Sequence, residues 1–410
     1  MDALVLGGGV VGLNIALQLQ SKGLAVTLVE AERTRNAASY GNAGHIAIEQ
    51  VEPLASQAMV RSAFRRLYGF GGALSLPPRF AATWLPFGLR LMAAARPDRF
   101  TRGKAALSSL MQQAMPAWRR RVDDLGDGGL LRQDGHFVVW ETPETARAGL
   151  ESWRGTDTGE AVFAPASEDE LRQLAALTSK PIAGAIRFSN TGQVADNARL
   201  LQAMEAAFTA RGGRMIFARV DAVFIENGIA HTRLAGGEVL LADAVVVSAG
   251  VRSADILRPL GLKIPIVAER GYHIQSAIHQ WPANLPPVVF EDRSMIVTRF
   301  ESGVRAASFV EIGRDGAPPD RGKWRRLRQH VADLGLPFGA VDHAAEWIGS
   351  RPTLPDYLPA IGRIAGAPNL YYAFGHQHLG LTLGPVTGEI VADMIARGTT
   401  PAAFSLDRFK

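Results

Sequence analysis

The first thirty residues constrain the fold more than any other part of the chain. A short apolar run, Ala3 to Leu6, enters a turn carrying Gly7, Gly9 and Gly12. An amphipathic helical segment follows, and a second apolar run, Ala25 to Val29, ends on Glu30. Strand, glycine turn, helix and strand in this order form the βαβ unit that binds an adenine dinucleotide. Gly7 permits the tight turn, Gly9 lets the backbone approach a pyrophosphate, and Gly12 lets helix and strand pack closely. The helix opens at Val10 and Val11, where unpaired N–H groups and the dipole favour the anion. Glu30 lies eighteen residues beyond Gly12, near the spacing of about twenty at which an acid bonds the ribose hydroxyls. Ala31 continues that edge. An acid there disfavours a 2′-phosphate, which leaves FAD or NAD.

A chain of 410 residues exceeds what one compact core supports, so two domains are expected. The start is polar and glycine-rich, and the fingerprint begins at residue 2, so no signal peptide is expected. No apolar run reaches the roughly eighteen residues of a membrane span, and a cytoplasmic location is the expectation. With no cysteine, the chain forms no disulfide, ligates no iron–sulfur cluster and attaches no flavin through sulfur.

The net charge of +5 is unevenly spread: between Leu54 and Arg121, twelve Lys or Arg stand against one acid, Asp98, a local excess of +11. The same stretch carries an apolar patch from Phe80 to Met92 that includes Trp84 and Phe87. One reading is a solvated helix face with Trp84 and Phe87 in the core. The other is a surface over residues 54–121 for a peripheral contact with an anionic membrane or an acidic partner. No nucleic-acid-binding motif accompanies the charge, so nucleic acid is not expected as a partner.

Further along, helices are expected at 54–68, 81–95 and 105–125, with Pro77-Pro78 and Pro97-Asp98 as breaks. His136 to Trp140 reads as a strand, and Ser167 with Glu170 as a capping box. Asp196 to Arg211 reads as a helix ended by Gly212-Gly213. Three alternating runs (219–225, 228–234, 238–241) then precede the fully apolar Ala244 to Ser248, which suggests a β-meander laid over a parallel sheet. Leu370 to Phe374 reads as a strand before a helix from Gly384 to Arg397. The expected fold is α/β: a discontinuous, Rossmann-like cofactor domain from residues 1–48, 190–258 and 345–410, with a second mixed-sheet α+β substrate domain from 49–189 and 259–344.

This arrangement resembles the D-amino-acid oxidase-like family of FAD-dependent oxidoreductases, in particular its bacterial D-amino-acid dehydrogenase branch. Four motifs carry the resemblance beyond the fingerprint. Ala38-Ser-Tyr-Gly41-Asn42-Ala43-Gly44-His45 is similar to the loop that runs beside the flavin. Ala244 to Gly250 is similar to the strand and turn that pass under FAD, ending on Ala249 and Gly250. Gly349-Ser-Arg351-Pro352-Thr-Leu-Pro355-Asp356-Tyr-Leu-Pro359-Ala-Ile-Gly362 resembles the family's Arg-Pro signature. Gly375-His376-Gln-His378-Leu-Gly380-Leu381-Thr382-Leu-Gly384-Pro385-Val-Thr-Gly388 resembles the loop and helix start at the isoalloxazine pyrimidine edge. The last two motifs select FAD over NAD, and the His-x-His-Leu-Gly-Leu-Thr wording is most similar to D-hydroxyproline dehydrogenase flavoprotein subunits.

The resemblance implies roles for single residues. Arg351 would bind the substrate carboxylate above the flavin, as a bidentate guanidinium suits; its alternative is a structural pair with Asp356. Tyr272, in Glu-Arg-Gly-Tyr-His, would bond that carboxylate or cap the site, or else is a packed aromatic. His376 would contact substrate or the flavin O2 edge, and His45 would lie on a flavin face or donate to N5; each is otherwise a satisfied structural histidine. Backbone N–H groups of Gly380, Leu381 and Thr382 would meet flavin O2, and the Val220 backbone would pair with adenine. The His376–His378 spacing lacks a third ligand cluster, so no metal is expected. The loop ends in Gly44-His45 where many dehydrogenase relatives have Gly-Gln, which is a departure from the family pattern.

The activity so implied is oxidation of a D-amino or D-imino acid, with cis-4-hydroxy-D-proline as the named candidate, to the imine. Hydride passes to flavin N5, and electrons leave to a quinone, a dye or a partner redox subunit. The alternatives are an oxidase of the same fold acting on glycine, sarcosine or an opine-like secondary amine with release of hydrogen peroxide, or a FAD-holding subunit of a larger complex.

Overall fold

The computed structural model describes residues 1–34 and 37–410. A six-stranded sheet runs in the order Arg214–Phe217, Ala25–Glu30, Asp2–Leu6, Ala244–Val247, Leu370–Phe374, Ala360–Arg363. The first five strands are parallel and only the last pairs antiparallel. A parallel sheet is covered on both faces, which is why Ala244–Val247 is apolar throughout and wholly buried. Ala3 and Val5 turn toward the helices Val10–Ser21 and Gly380–Arg397. Leu4 and Leu6 turn toward the antiparallel meander Val220–Glu226, Ile229–Leu234, Val239–Leu240.

A nine-stranded sheet is built around two long, buried strands, Val267–Ser276 and Gly303–Gly313. Helix Arg321–Asp333 packs Trp324, Leu327 and Val331 onto one of its faces. A small sheet of His45–Ile46, Gly192–Val194 and Leu131–Arg132 joins the loop after the fingerprint to the rest of the chain.

The structure departs from the sequence reading at four places. Strand Ala345–Thr353, which carries Arg351, pairs with Val267–Ser276 in the nine-stranded sheet, although residues 345–410 were expected to lie together with the cofactor domain. The expected helix over 54–68 shrinks to Gln57–Ser62 followed by two 3₁₀ turns. The Ser62 hydroxyl bonds back to the carbonyls of Ala58 and Met59 and competes with the helical ladder there. The helix expected at 105 begins at Pro97, because proline is a favoured first helical residue and Asp98 suits the first turn.

The C-terminal helix begins at Gly380, four residues before Gly384, so Pro385 falls inside it. Proline lacks the N–H that would bond the carbonyl of Leu381. The buried Trp118 indole N–H donates to that carbonyl at 3.0 Å, and the long helix Pro97–Leu125 is thereby tied to the C-terminal helix. With its preceding turn, residues 377–397 are long and apolar enough to cross a membrane, yet 67% of the apolar window is buried inside the fold. The apolarity serves the core.

The C-terminal and fingerprint helices meet backbone to backbone. A Cβ on Gly388 would lie 2.7 Å from the Asn14 carbonyl oxygen. Gly388→Ala is therefore expected to destabilise the protein by about 1–3 kcal/mol, read as a lowered midpoint in urea unfolding.

Candidate active site

One cavity of about 1690 Å³ runs between the two large sheets, larger than the ~300–1,000 Å³ of ordinary ligand pockets. Gly7, Gly9, Val10, Val11, Glu30, Ala31, Val220, Ala249 and Gly250 line one end; Gly41, Asn42, Ala43, His45, Gly380 and Leu381 also line it. Arg351, Tyr272, His376 and His378 border it too, with Glu269, Gln50 and Tyr357.

The fingerprint end is a backbone cradle. Gly7 has φ +112°, and a Cβ there would sit 2.6 Å from the Ser248 carbonyl oxygen. A Cβ on Gly12 would lie 1.8 Å from the Gly7 carbonyl oxygen. Gly12 therefore supports the cavity from behind and does not line it. Glu30 accepts from the Gly8 N–H at 2.6 Å and the Glu32 N–H at 3.0 Å, which fixes its carboxylate beside the glycine turn. At Gly9 an added Cβ would meet only the Ser39 hydroxyl, at 3.2 Å. Glycines stripped of side chains at a helix N-terminus, with an acid at the far edge, fit the pyrophosphate and ribose of FAD.

The loop Gly41–Gly44 is held by buried groups. The His273 ring bonds the Gly41 carbonyl at 3.1 Å, and Asn197 and Arg305 both donate to the Asn42 carbonyl. A Cβ on Gly41 would lie 2.2 Å from the Trp347 ring, and one on Gly44, at φ +78°, would strike Phe300. At the other wall, Gly380, Leu381 and Thr382 form the first helical turn, whose N–H groups have no side-chain cap. The Thr382 hydroxyl instead accepts from the Ala47 N–H at 3.0 Å, and Thr382 and Gly44 stand behind the cavity wall.

The expected catalytic histidines are bonded within the protein. His376 Nε2 lies 3.0 Å from the Thr387 hydroxyl, and burial lowers its pKa to about 3. His45 meets the Gly192 carbonyl through Nδ1 and the Glu49 carboxylate, 3.0 Å away, through Nε2. Burial opposes the charge on Glu49, but His45 and His136 beside it hold its pKa down to about 2. The candidate ligand atoms of His45, Glu49 and His136 lie within 4.8 Å of one another. Within that group His45 pairs with Glu49, and His136 Nδ1 lies 2.8 Å from the Thr191 hydroxyl. Tyr272 turns its hydroxyl beneath helix Arg321–Asp333, donating to Glu311 at 3.2 Å and accepting from the Asp320 N–H at 3.1 Å. Its phenol is therefore engaged on the far side of the sheet.

Arg351 is placed differently. Asp356, its expected structural partner, pairs with Arg408 at 2.6 Å. Arg351 Nη1 donates to Glu269 at 3.2 Å and to the Phe309 carbonyl at 3.3 Å. Its Nε–Nη2 edge makes no protein hydrogen bond among the described residues, and the side chain is 26% exposed in the cavity wall. The guanidinium lies flat on Gly271, where a Cβ would come within 2.5 Å of Nη2.

Five non-glycine residues have φ in the left-handed region among the described residues, and three of them surround Arg351. Phe309, at φ 67°, supplies the carbonyl that Arg351 bonds. Tyr357, at φ 55°, donates its hydroxyl to Glu269 at 3.0 Å. Gln377, at φ 49°, donates to the Tyr357 carbonyl and leads into His378. Such conformations persist only where surrounding structure imposes them, and they concentrate at functional sites. Glu269, Tyr357 and Gln377 were not singled out from the sequence. The signal available was the acid in Glu269-Arg-Gly-Tyr and the tyrosine inside the Arg-Pro motif.

His376 and His378 are both held neutral by burial, His378 at about 4, where Glu269 raises and Arg351 lowers its pKa. A depressed histidine pKa means that the unfolded chain binds the proton first, so stability falls as pH drops below about 6.5. His376→Gln is expected to flatten that fall between pH 6 and 4 by about 1.4 kcal/mol per pH unit, measured by urea unfolding across the range.

Residues 2–394 match the family described as DAO, FAD dependent oxidoreductase. The D-amino acid dehydrogenase 2 of Pseudomonas aeruginosa PAO1 is 33% identical over 405 residues, 96% of this chain and 94% of that protein. The D-amino-acid oxidase of Bradyrhizobium diazoefficiens is 28% identical over 422 residues, 99% of this chain and 98% of the other. Among solved structures, glycine oxidase from Geobacillus kaustophilus superposes with a TM-score of 0.74 at 20% identity, covering 100% of this chain and 97% of that one. L-proline dehydrogenase from P. horikoshii gives 0.71 at 18% identity, covering 100% and 98%. With the family match spanning nearly the whole chain and the glycine cradle in place, this protein belongs to the DAO family of FAD-dependent oxidoreductases.

Proposed function

We propose that this chain is a D-amino-acid dehydrogenase that oxidises a D-amino or D-imino acid, cis-4-hydroxy-D-proline among the candidates, to the imine. The observation that carries the reading is the free Nε–Nη2 edge of Arg351, held in the cavity wall by Glu269 and the Phe309 carbonyl. A planar guanidinium edge takes a carboxylate side-on and fixes the orientation of the carbon attached to it. When bound, FAD supplies the two-electron oxidation. The chain's own part is orientation: Arg351 holds the carboxylate, and the uncapped helix start at Gly380 directs N–H groups into the cavity. The names of the relatives from Pseudomonas and Bradyrhizobium support an α-amino acid as substrate class and the D configuration.

The electron acceptor in this reading is a membrane quinone, reached at the cytoplasmic face of an anionic bilayer. Helix Ala81–Ala94 buries only Phe87 and leaves Leu85, Leu89 and Met92 exposed at 52%, 64% and 48%. Phe64 and Phe70, 66% and 65% exposed, pack against each other in a tilted pair with ring centroids 4.6 Å apart in the same basic segment. Apolar side chains rimmed by arginines suit an anionic lipid surface. A second reading, an oxidase that reduces oxygen to peroxide, is favoured by the name of the Bradyrhizobium relative.

Anaerobic addition of D-proline or cis-4-hydroxy-D-proline is expected to bleach the flavin absorbance, with L-proline inert. Arg351→Lys should lower the bleaching efficiency by about a hundredfold or more, as loss of a side-on charged pair does. Absence of bleaching by any D-amino acid would refute the substrate class, and stoichiometric peroxide in air would favour the oxidase. Vesicles containing phosphatidylglycerol should co-sediment the protein and phosphatidylcholine vesicles should not. Leu85→Asp with Leu89→Asp should abolish that binding while the flavin still bleaches; equal sedimentation with both lipids would count against a membrane surface.

A further inference from the structure

Glu269 lies on strand Val267–Ser276, 2% exposed, and borders the cavity. Its Oε1 accepts from Arg351 Nη1 at 3.2 Å. Its Oε2 accepts from the Thr353 hydroxyl at 3.3 Å and the Tyr357 hydroxyl at 3.0 Å. A buried carboxylate is costly unless charge and hydrogen bonds answer it. Here one guanidinium and two hydroxyls do so, and that guanidinium offers its other edge to the ligand. Burial and the adjacent Glu269 push the Tyr357 pKa well above 10, so this hydroxyl keeps its proton and remains a donor. Arg351 and Glu269 therefore form one neutral unit in the cavity wall.

That neutrality changes what the site prefers. A lone arginine attracts any carboxylate, including a 2-hydroxy acid or a dicarboxylate. Beside Glu269, a simple anion gains from Arg351 and loses to the fixed negative charge. An amino acid carries its ammonium on the carbon next to the carboxylate, so a ligand whose carboxylate meets Nε and Nη2 brings a positive charge into the field of Glu269 together with its negative one. At such separations, with an effective dielectric of about 20, each pairwise term amounts to tenfold or more in affinity.

We propose that Glu269 is a specificity-determining residue: its fixed negative charge against Arg351 makes the site select zwitterionic amino or imino acids over plain carboxylates, 2-hydroxy acids and dicarboxylates. The inference rests on the reading of Arg351 as the carboxylate receptor. Glu269→Gln keeps the volume and an oxygen for the Thr353 and Tyr357 hydroxyls, and it removes the charge.

In the FAD-loaded protein, equilibrium titration of the flavin spectrum with acetate and with malonate reads anion binding directly. Glu269→Gln should tighten acetate about tenfold and malonate by a larger factor, while kcat/KM for the D-amino acid that bleaches the wild-type flavin falls about tenfold. Tyr357→Phe keeps the charge and removes one donor, so it should leave the ratio of acetate to amino-acid preference within about twofold of wild type. The proposal is overturned if Glu269→Gln leaves that ratio unchanged, or if Tyr357→Phe shifts it equally. Wild-type-like acetate binding in Arg351→Lys would instead remove the receptor assignment beneath it, and the two failures are told apart by which variant shows them.

Discussion

The fold depends on backbone surfaces meeting at van der Waals distance around the first glycine turn. A Cβ on Gly12 would overlap the Gly7 carbonyl, a Cβ on Gly7 would overlap the Ser248 carbonyl, and one on Gly388 would press on Asn14. These contacts set the fingerprint helix against its strand, the neighbouring strand under the turn, and the C-terminal helix against the fingerprint helix. Strands drawn from the two ends and the middle of the chain thus form one sheet. The first turn of the C-terminal helix then faces the cavity at a distance fixed by packing. Trp118 secures that turn by bonding the one carbonyl that Pro385 leaves without its helical donor.

Around Arg351 the order is of another kind. Phe309, Tyr357 and Gln377 adopt left-handed backbone conformations that cost about 1–3 kcal/mol each where the residue is not glycine. Each is tied to the next shell by a specific bond: the Phe309 carbonyl to Arg351, the Tyr357 hydroxyl to Glu269, the Gln377 amide to the Tyr357 carbonyl. Gly271 completes the arrangement by leaving the space on which the guanidinium lies. The rigidity of the cofactor end comes from the absence of side chains, and that of the substrate end from strain held by polar contacts.

Local pattern carried much of this in the sequence. The fingerprint, the meander, the apolar strand 244–247, the cap at Ser167 and the helix from Asp196 depend on residues close together in the chain. Arg351 was legible as a residue but not as a member of the second sheet, because pairing with Val267–Ser276 is a contact over about eighty positions. Glu269 was illegible for the same reason: an acid in a strand has meaning only once its partners at 351, 353 and 357 are known. The histidines illustrate the reverse case. His45 and His376 stand in motif positions that suggest chemistry, yet their hydrogen-bonded ring nitrogens meet protein groups, and the choice between donor and packed side chain is made by Glu49, Gly192 and Thr387. The start of the C-terminal helix was misplaced because Pro385 reads as a breaker unless the rescue by Trp118 is known.

The two ends of the cavity also differ in where their charge comes from. At the dinucleotide end, attraction for an anion arises from helix N-termini and backbone N–H groups, which do not titrate. At the substrate end, His376 and His378 are kept neutral by burial, with pKa values near 3 and 4, while Tyr357 is pushed well above 10. Those three groups keep a single charge state through the neutral range. What is left is the salt bridge of Arg351 with Glu269, an internal pair that gives orientation without a net charge. A site built this way presents geometry and dipoles rather than a proton acceptor. That suits a reaction in which the ammonium proton is first lost to solvent, the amine lone pair so freed assists departure of the hydride, and the protein's task is to hold the carbon in line.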